Sequence, residues 1–175
     1  CDSSASDPFS HDCLQITSQG ANTAARLVVL RGKCTLETGC RITAIEIGAR
    51  TPGQSEAQLI ANTGVVAPTS VIMTSGVASF MVNPTTLVVT GGTWTQETGG
   101  SVITTLEVWG GRVNLKHGGT YATVRHHGGI IDCTLGGGLK TFTNYLRTPG
   151  AILLGENNPA LVSLPTAPPA LTYIG

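Results

Sequence analysis

The feature that most constrains this chain is that it repeats itself. The stretch LVVLRGKCTLETG at 27–39 returns as LVVTGGTWTQETG at 87–99, and each copy is followed by an apolar–Glu–apolar triplet, Ile45-Glu46-Ile47 and Leu106-Glu107-Val108. A shorter unit, L-x-V-x-G-G, starts at Leu87, Leu106 and Val124, and in weaker form at Leu146, giving steps of 19, 18 and 22 residues. A period near twenty, built from short strands punctuated by glycine, is the size of one coil of a β-solenoid. One coil cannot bury its own apolar face, so it has to stack on the next. Between the glycines the apolar residues alternate with period two, as strands with one buried face require, and no segment sustains a 3.6-residue stripe. The expected fold is therefore all-β: a single-stranded β-helix or solenoid with coils of about 18–22 residues and very little helix.

Aligning the coils on their Gly-Gly corners assigns each side chain a direction. Leu87, Leu106, Val124 and Leu146 form one inward column, and Val89, Val108, His126 and Thr148 the next. After the corner, Cys34, Trp94, Val113, Ile131 and Ile152 share a column, followed two positions later by Leu36, Gln96, Leu115, Cys133 and Leu154. The intervening residues point outward, which lines up Glu107, Arg125 and Arg147 as an exposed charge ladder worth at most about 1 kcal/mol per pair.

The expected organisation is an N-terminal arm at 1–25, a solenoid at 26–163 and an extended, Pro-rich tail at 164–175. Within the solenoid, 87–160 reads as regular coils and 49–86 as irregular ones, with ARTPGQSEAQ at 49–58 as a loop inserted after Ile47. Raw solenoid ends pair with other chains unless covered, so the arms are expected to cap an end or reach a neighbouring subunit. Cys1 opens the chain as in a mature bacterial lipoprotein, a start that a trimmed terminus explains equally well.

Charged residues are 11% of the chain, and ten basic side chains balance ten acidic ones with no Lys/Arg cluster. Neither a nucleic acid nor an anionic membrane is an expected partner, and no apolar run reaches the length of a membrane-spanning helix. The five cysteines include no C-x-x-C pair, which argues against a zinc module. Cys34 and Cys40 could bridge or remain buried thiols.

The stretch VRHHGGIIDC at 124–133 looks like a catalytic or metal cluster, but adjacent residues of a strand diverge. His126 and Cys133 are assigned to the core, the former as a hydrogen-bonded histidine beside Thr148. Arg125, His127 and Asp132 are assigned outward. Glycoside cleavage needs two carboxyl groups roughly 5–10 Å apart, and the candidates Glu97, Glu107 and Asp132 fall in different columns. No catalytic residue, metal or cofactor is assigned. Gly136–Gly138 lacks the Lys-Ser/Thr and helix of a phosphate cradle and reads as a turn. Trp109 follows an inward residue and is expected to face solvent as a contact residue, with Tyr121 and Tyr173 as further interface candidates.

Residues 88–121, VVTGGTWTQETGGSVITTLEVWGGRVNLKHGGTY, resemble the glycine-cornered coils of β-helical structural proteins of tailed bacteriophages. The likeness covers 87–160 and extends to 27–48. It implies a non-enzymatic virion component on the particle exterior, a capsid decoration, cement or head-fibre subunit that contacts capsid or other virion proteins. It also implies a homo-oligomer, commonly a trimer. Short length and the lack of a carboxylate-lined groove separate the chain from receptor-degrading tailspikes. A second reading is a tail-fibre module binding host glycans through Trp109, Tyr121 and Asn114. A polysaccharide-degrading enzyme and a lipid-anchored surface protein stand behind it.

Overall fold

A computed structural model describes residues 13–16, 23–48, 57–97 and 103–165. Among them are sixteen strands and no helix. In chain order the first eight are β1 (Cys13–Ile16), β2 (Ala24–Val29), β3 (Gly32–Leu36), β4 (Ile42–Ile47), β5 (Ala57–Ala61), β6 (Ser70–Met73), β7 (Val77–Phe80) and β8 (Thr86–Val89). The rest are β9 (Thr93–Gln96), β10 (Thr105–Val108), β11 (Arg112–Leu115), β12 (Gly119–His126), β13 (Ile130–Asp132), β14 (Lys140–Arg147), β15 (Ile152–Leu154) and β16 (Val162–Ser163). Odd-numbered strands form one eight-stranded parallel sheet, sheet A, and even-numbered strands another, sheet B, each in unbroken sequence order. Every coil thus gives one strand to each sheet, and about seven turns stack into the all-β solenoid expected from the repeat.

The alternation of apolar residues fixes the packing. Leu27, Ile45, Val71, Leu87, Leu106, Val124 and Tyr145 stand opposite one another down sheet B, so the copies at 27–39 and 87–99 lie three coils apart in one column. Cys34, Leu59, Ala78, Trp94, Val113, Ile131 and Leu153 form the facing column of sheet A. Nearly all of these are buried in one continuous cluster, each large apolar side chain stabilising the fold by roughly 1.5–3 kcal/mol. Leu87, Val89, Trp94, Leu106, Val108, Val113, Leu115, Val124, His126, Ile131 and Cys133 are inward as expected.

The corners explain the glycines. Gly111 has φ +72°, and a Cβ there would lie 2.4 Å from the carbonyl oxygen of Gly92 on the preceding coil. The coil path therefore needs both the left-handed backbone and the absence of a side chain.

The last coil departs from the expected register. Tyr145, not Leu146, pairs with Val124, and Arg147, not Thr148, stands opposite His126. After the corner, Leu153 takes the place expected of Ile152, and Leu154 sits opposite Asp132, half-buried on the outer side of the strand. Leu146 and Ile152 are 65% and 47% exposed. The cause is the corner: Thr148-Pro149-Gly150-Ala151 joins β14 to β15, where His127-Gly128-Gly129 joins β12 to β13, so the turn carries an additional residue. Arg147 consequently leaves the charge ladder and pairs with Glu156 at 2.5 Å.

Two further boundaries move. Ala57 and Gln58, expected in the inserted loop, belong to β5 and pair with Gly32 and Lys33. The strands between 57 and 89 pair in the same register as the later ones, with Val71 opposite Leu87 only 16 residues on; the rest of the loop, 49–56, lies outside the described residues. At the N-terminus, β1, from the expected arm, adds an end strand to sheet A beside β3. Cys34 and Cys40 are buried thiols with no disulfide between them, and the Cys40 thiol donates to the Ile16 carbonyl at 2.9 Å.

Candidate functional site

Stacking places equivalent positions of successive coils about 4.8 Å apart, so polar side chains bond along the stack, and chemistry-bearing residues are sorted by face. On the outer side of sheet A, Thr95, Asn114 and Asp132 occupy one column. Asn114 Nδ2 donates to Thr95 Oγ1 at 3.1 Å, and Arg112 Nε donates to Asn114 Oδ1 at 2.9 Å. The Arg112 guanidinium also pairs with Asp132. Asp132, expected to be exposed, lies on the outward side but is 1% exposed. Burial alone would raise its carboxyl; hydrogen bonds from the hydroxyl and N–H of Thr134 and from Arg112 outweigh that and hold it below the usual carboxylate range. It is thus kept as an anion, not poised as a proton donor. Asn114 is buried too and offers no exposed amide to a ligand.

Beside this column Lys116 Nζ donates to both oxygens of Glu97 at 2.9 and 2.8 Å, and Ser79 Oγ donates to Glu97 Oε1 at 3.1 Å. Glu107 is on the other sheet, where its Oε1 accepts from Trp109 Nε1 at 2.9 Å and its Oε2 lies 3.9 Å from Arg125. Glu107 and Asp132 therefore stand on opposite sheets. No group of three His, Cys, Asp or Glu suited to a metal ion occurs among the described residues.

Trp109 is 53% exposed, as its position after an inward residue implied. It occupies the corner column next to sheet B, and its indole stacks on His127 of the next coil at 3.9 Å between centroids and 15° between planes. Tyr121, expected as a surface contact, is instead 1% exposed. Its hydroxyl donates to Gln96 Oε1 at 3.1 Å, its ring meets Phe142 edge-on at 5.4 Å, and burial raises its phenol above the ordinary value. The reason is a change of phase: Tyr121 and Val124 are both inward, so the alternation breaks at Ala122 and Thr123 within β12. Tyr173 lies outside the described residues.

His126 is fully buried. Its Nδ1 lies 3.1 Å from Tyr145 Oη and its Nε2 3.2 Å from the Gly129 carbonyl. A carbonyl can only accept, so Nε2 carries the proton and Nδ1 accepts from the tyrosine. Thr148, expected beside His126, bonds the backbone: its N–H donates to the His126 carbonyl at 3.0 Å and its hydroxyl to the His127 carbonyl at 2.5 Å. Burial lowers the His126 pKa and pushes the Tyr145 phenol up to about 12. Cys133, a small core residue as expected, has its thiol pushed up to about 12 by burial and is no nucleophile at neutral pH.

Lys140 was not legible as a core residue, yet it is fully buried, at an inward position opposite Gly119 and Val162. Its ammonium donates to the Cys133 carbonyl at 3.2 Å and to Gly137 at 3.5 Å, holding the loop 134–139, and burial lowers its pKa.

No protein-family model, no curated protein and no solved structure matches the chain.

Proposed function

We propose that this chain is a non-enzymatic structural subunit, a rigid solenoid whose outer faces contact neighbouring proteins. The setting we propose for it is the exterior of a tailed-bacteriophage virion, as a capsid decoration, cement or head-fibre subunit. One observation carries the structural role. The ionic side chains of the central coils are spent on binding coil to coil, whereas large apolar side chains point to solvent from both sheets. Glu97, Asp132 and Arg112 serve the former, and Val28, Ile72, Leu146, Ile152 and Trp109 the latter. Scattered apolar side chains are ordinary on a surface, but several on the outer face of one sheet, as Val28, Ile72 and Leu146 are, suit a protein contact. The virion setting rests on the resemblance of residues 88–121 to phage β-helical coils.

The test is addition of the purified chain to capsids of the phage that encodes it, lacking this protein. Saturable binding at a ratio set by the lattice is the expected result, and no binding to capsid, tail or whole particle overturns the setting. A glycan-binding role is favoured only by Trp109, whose ring already has one face against His127 and its N–H on Glu107. A sugar-array signal lost in Trp109→Ala would favour that role over ours.

A further inference from the structure

We infer that the outer face of sheet B is a contact surface for a second copy of this chain, packed face to face with the two stacks running in opposite directions. The inference rests on the reading of the outer faces as contact surfaces, and not on the virion setting.

Seven residues run down the middle of this face, one per coil: Val28, Glu46, Ile72, Val88, Glu107, Arg125 and Leu146. Two such faces can meet about a two-fold axis in two ways. An axis along the stack sets each residue against itself, placing Glu46 on Glu46, Glu107 on Glu107 and Arg125 on Arg125, an arrangement that like-charge repulsion disfavours. An axis along the strands, through Val88, reverses the order of coils. Glu46, which already pairs with Arg26 at 2.5 Å on its own chain, then faces Arg125; Val28 faces Leu146, Ile72 faces Glu107 and Val88 faces Val88.

The columns on either side fit the same pairing. Between Arg26 and Asn144 at its two ends, one of them holds small side chains, Ala44, Ser70, Thr86, Thr105 and Thr123, which lets the two sheets approach over the middle coils. The corner column on the other side carries the projecting Trp109. Reversal of the coils sets it against Ile72 and Thr74, at the rim of a dimple of about 40 Å³ that Val28, Leu30 and Gly48 also line. Symmetry makes that contact twice.

Seven strands at ~4.8 Å give a face about 29 Å long, and three columns make it roughly 15–20 Å wide. Such a dimer buries on the order of 1,000 Å² in total, the lower bound for a specific interface and the size of weak, transient contacts.

Sedimentation equilibrium over roughly 1–300 µM total chain tests this. A monomer–dimer equilibrium is expected, at least tenfold weaker in Trp109→Ala and in Ile72→Asp. Arg125→Glu alone weakens it similarly, and adding Glu46→Arg restores it. Ile152→Asp, on the outer side of sheet A, leaves it unchanged. A chain that stays monomeric throughout, a trimer, or a dimer indifferent to Ile72→Asp overturns the inference. So does a charge reversal that Glu46→Arg does not rescue. Because capsid addition is measured separately, failure here leaves the virion reading standing, and the converse also holds.

Discussion

The coils between Thr86 and Asp132 and the one that follows, from Lys140 to Leu154, use the same pair of strands and close them differently. The earlier ones turn on Gly91-Gly92, Gly110-Gly111 and Gly128-Gly129; the last turns on Thr148-Pro149-Gly150-Ala151. Gly111 and Gly150 both have positive φ, +72° and +92°, but only Gly111 is pressed against the coil before it. Nothing lies within 4 Å of a Cβ built on Gly150. The comparison separates two reasons for a corner glycine: backbone conformation, which both corners need, and stacking contact, which only the tight corner needs. The largest expected effect follows. Gly111→Ala forces a methyl group onto the Gly92 carbonyl besides the strained φ, and should cost more than about 3 kcal/mol, read as the shift of a denaturant midpoint. If it cost no more than a change at Gly150, the stacking account would fail.

The same contrast decides what the sequence could reveal. Between Thr86 and Asp132 a Gly-Gly dipeptide marks each corner from sheet B to sheet A, so columns such as Leu87–Leu106–Val124 can be read directly. In the last coil both landmarks blur. Leu146 and Ile152 are as apolar as Tyr145 and Leu153 beside them, so a slip of one position leaves the pattern plausible, and only the additional corner residue decides it. Tyr121 misleads for a related reason, since period-two reasoning carries a phase through Ala122 and Thr123 that the backbone does not keep. Lys140 was out of reach because a buried lysine depends on carbonyls, those of Cys133 and Gly137, which only the folded loop brings to it.

Asp132 extends the comparison from corners to faces. In the central coils the outer polar column of sheet A is cross-linked by side chains, whereas its last member, Leu154, is apolar. Asp132→Ala removes the acceptor of two bonds from Thr134 and of the Arg112 ion pair. Removal of one partner from a fully buried pair costs roughly 3–5 kcal/mol. Arg112 is 39% exposed, keeps Asn114 and can rehydrate, so the expected loss is about 2 kcal/mol in chemical denaturation. It should shrink in acid: the Asp132 carboxyl is depressed in the folded state, so its contribution is present above the ordinary carboxylate pKa and is lost as pH falls through the lower folded value.

Below these comes Gly150→Ala, the counterpart of the first substitution. With open space around the added methyl group, only the left-handed backbone penalises it, by about 1 kcal/mol. A thermal melt in which Gly150→Ala falls well short of Gly111→Ala would show that corner tightness, not glycine as such, sets the cost. Equal shifts would show that backbone conformation dominates both.

The smallest effect at neutral pH is expected where the two regions meet, at His126, the one polar member of a column that otherwise reads Val29, Ile47, Met73, Val89 and Val108 down to it. Burial first, then the nearby Arg147 and His127, depress its pKa against the opposing bond to Gly129. The unfolded chain therefore takes up a proton that the folded chain resists. Stability contributed by the neutral ring is fully present above the unfolded value of 6.5 and is lost as pH falls below it, down to the folded pKa. One such site gives a slope of at most about 1.4 kcal/mol per pH unit. His126→Val, the residue that neighbouring coils use, should leave neutral-pH stability within about 1 kcal/mol, since apolar packing replaces two modest hydrogen bonds. It should also flatten the profile below pH 6.5. An unchanged slope in the valine variant would move the acid sensitivity elsewhere and leave Tyr145–His126 as packing alone.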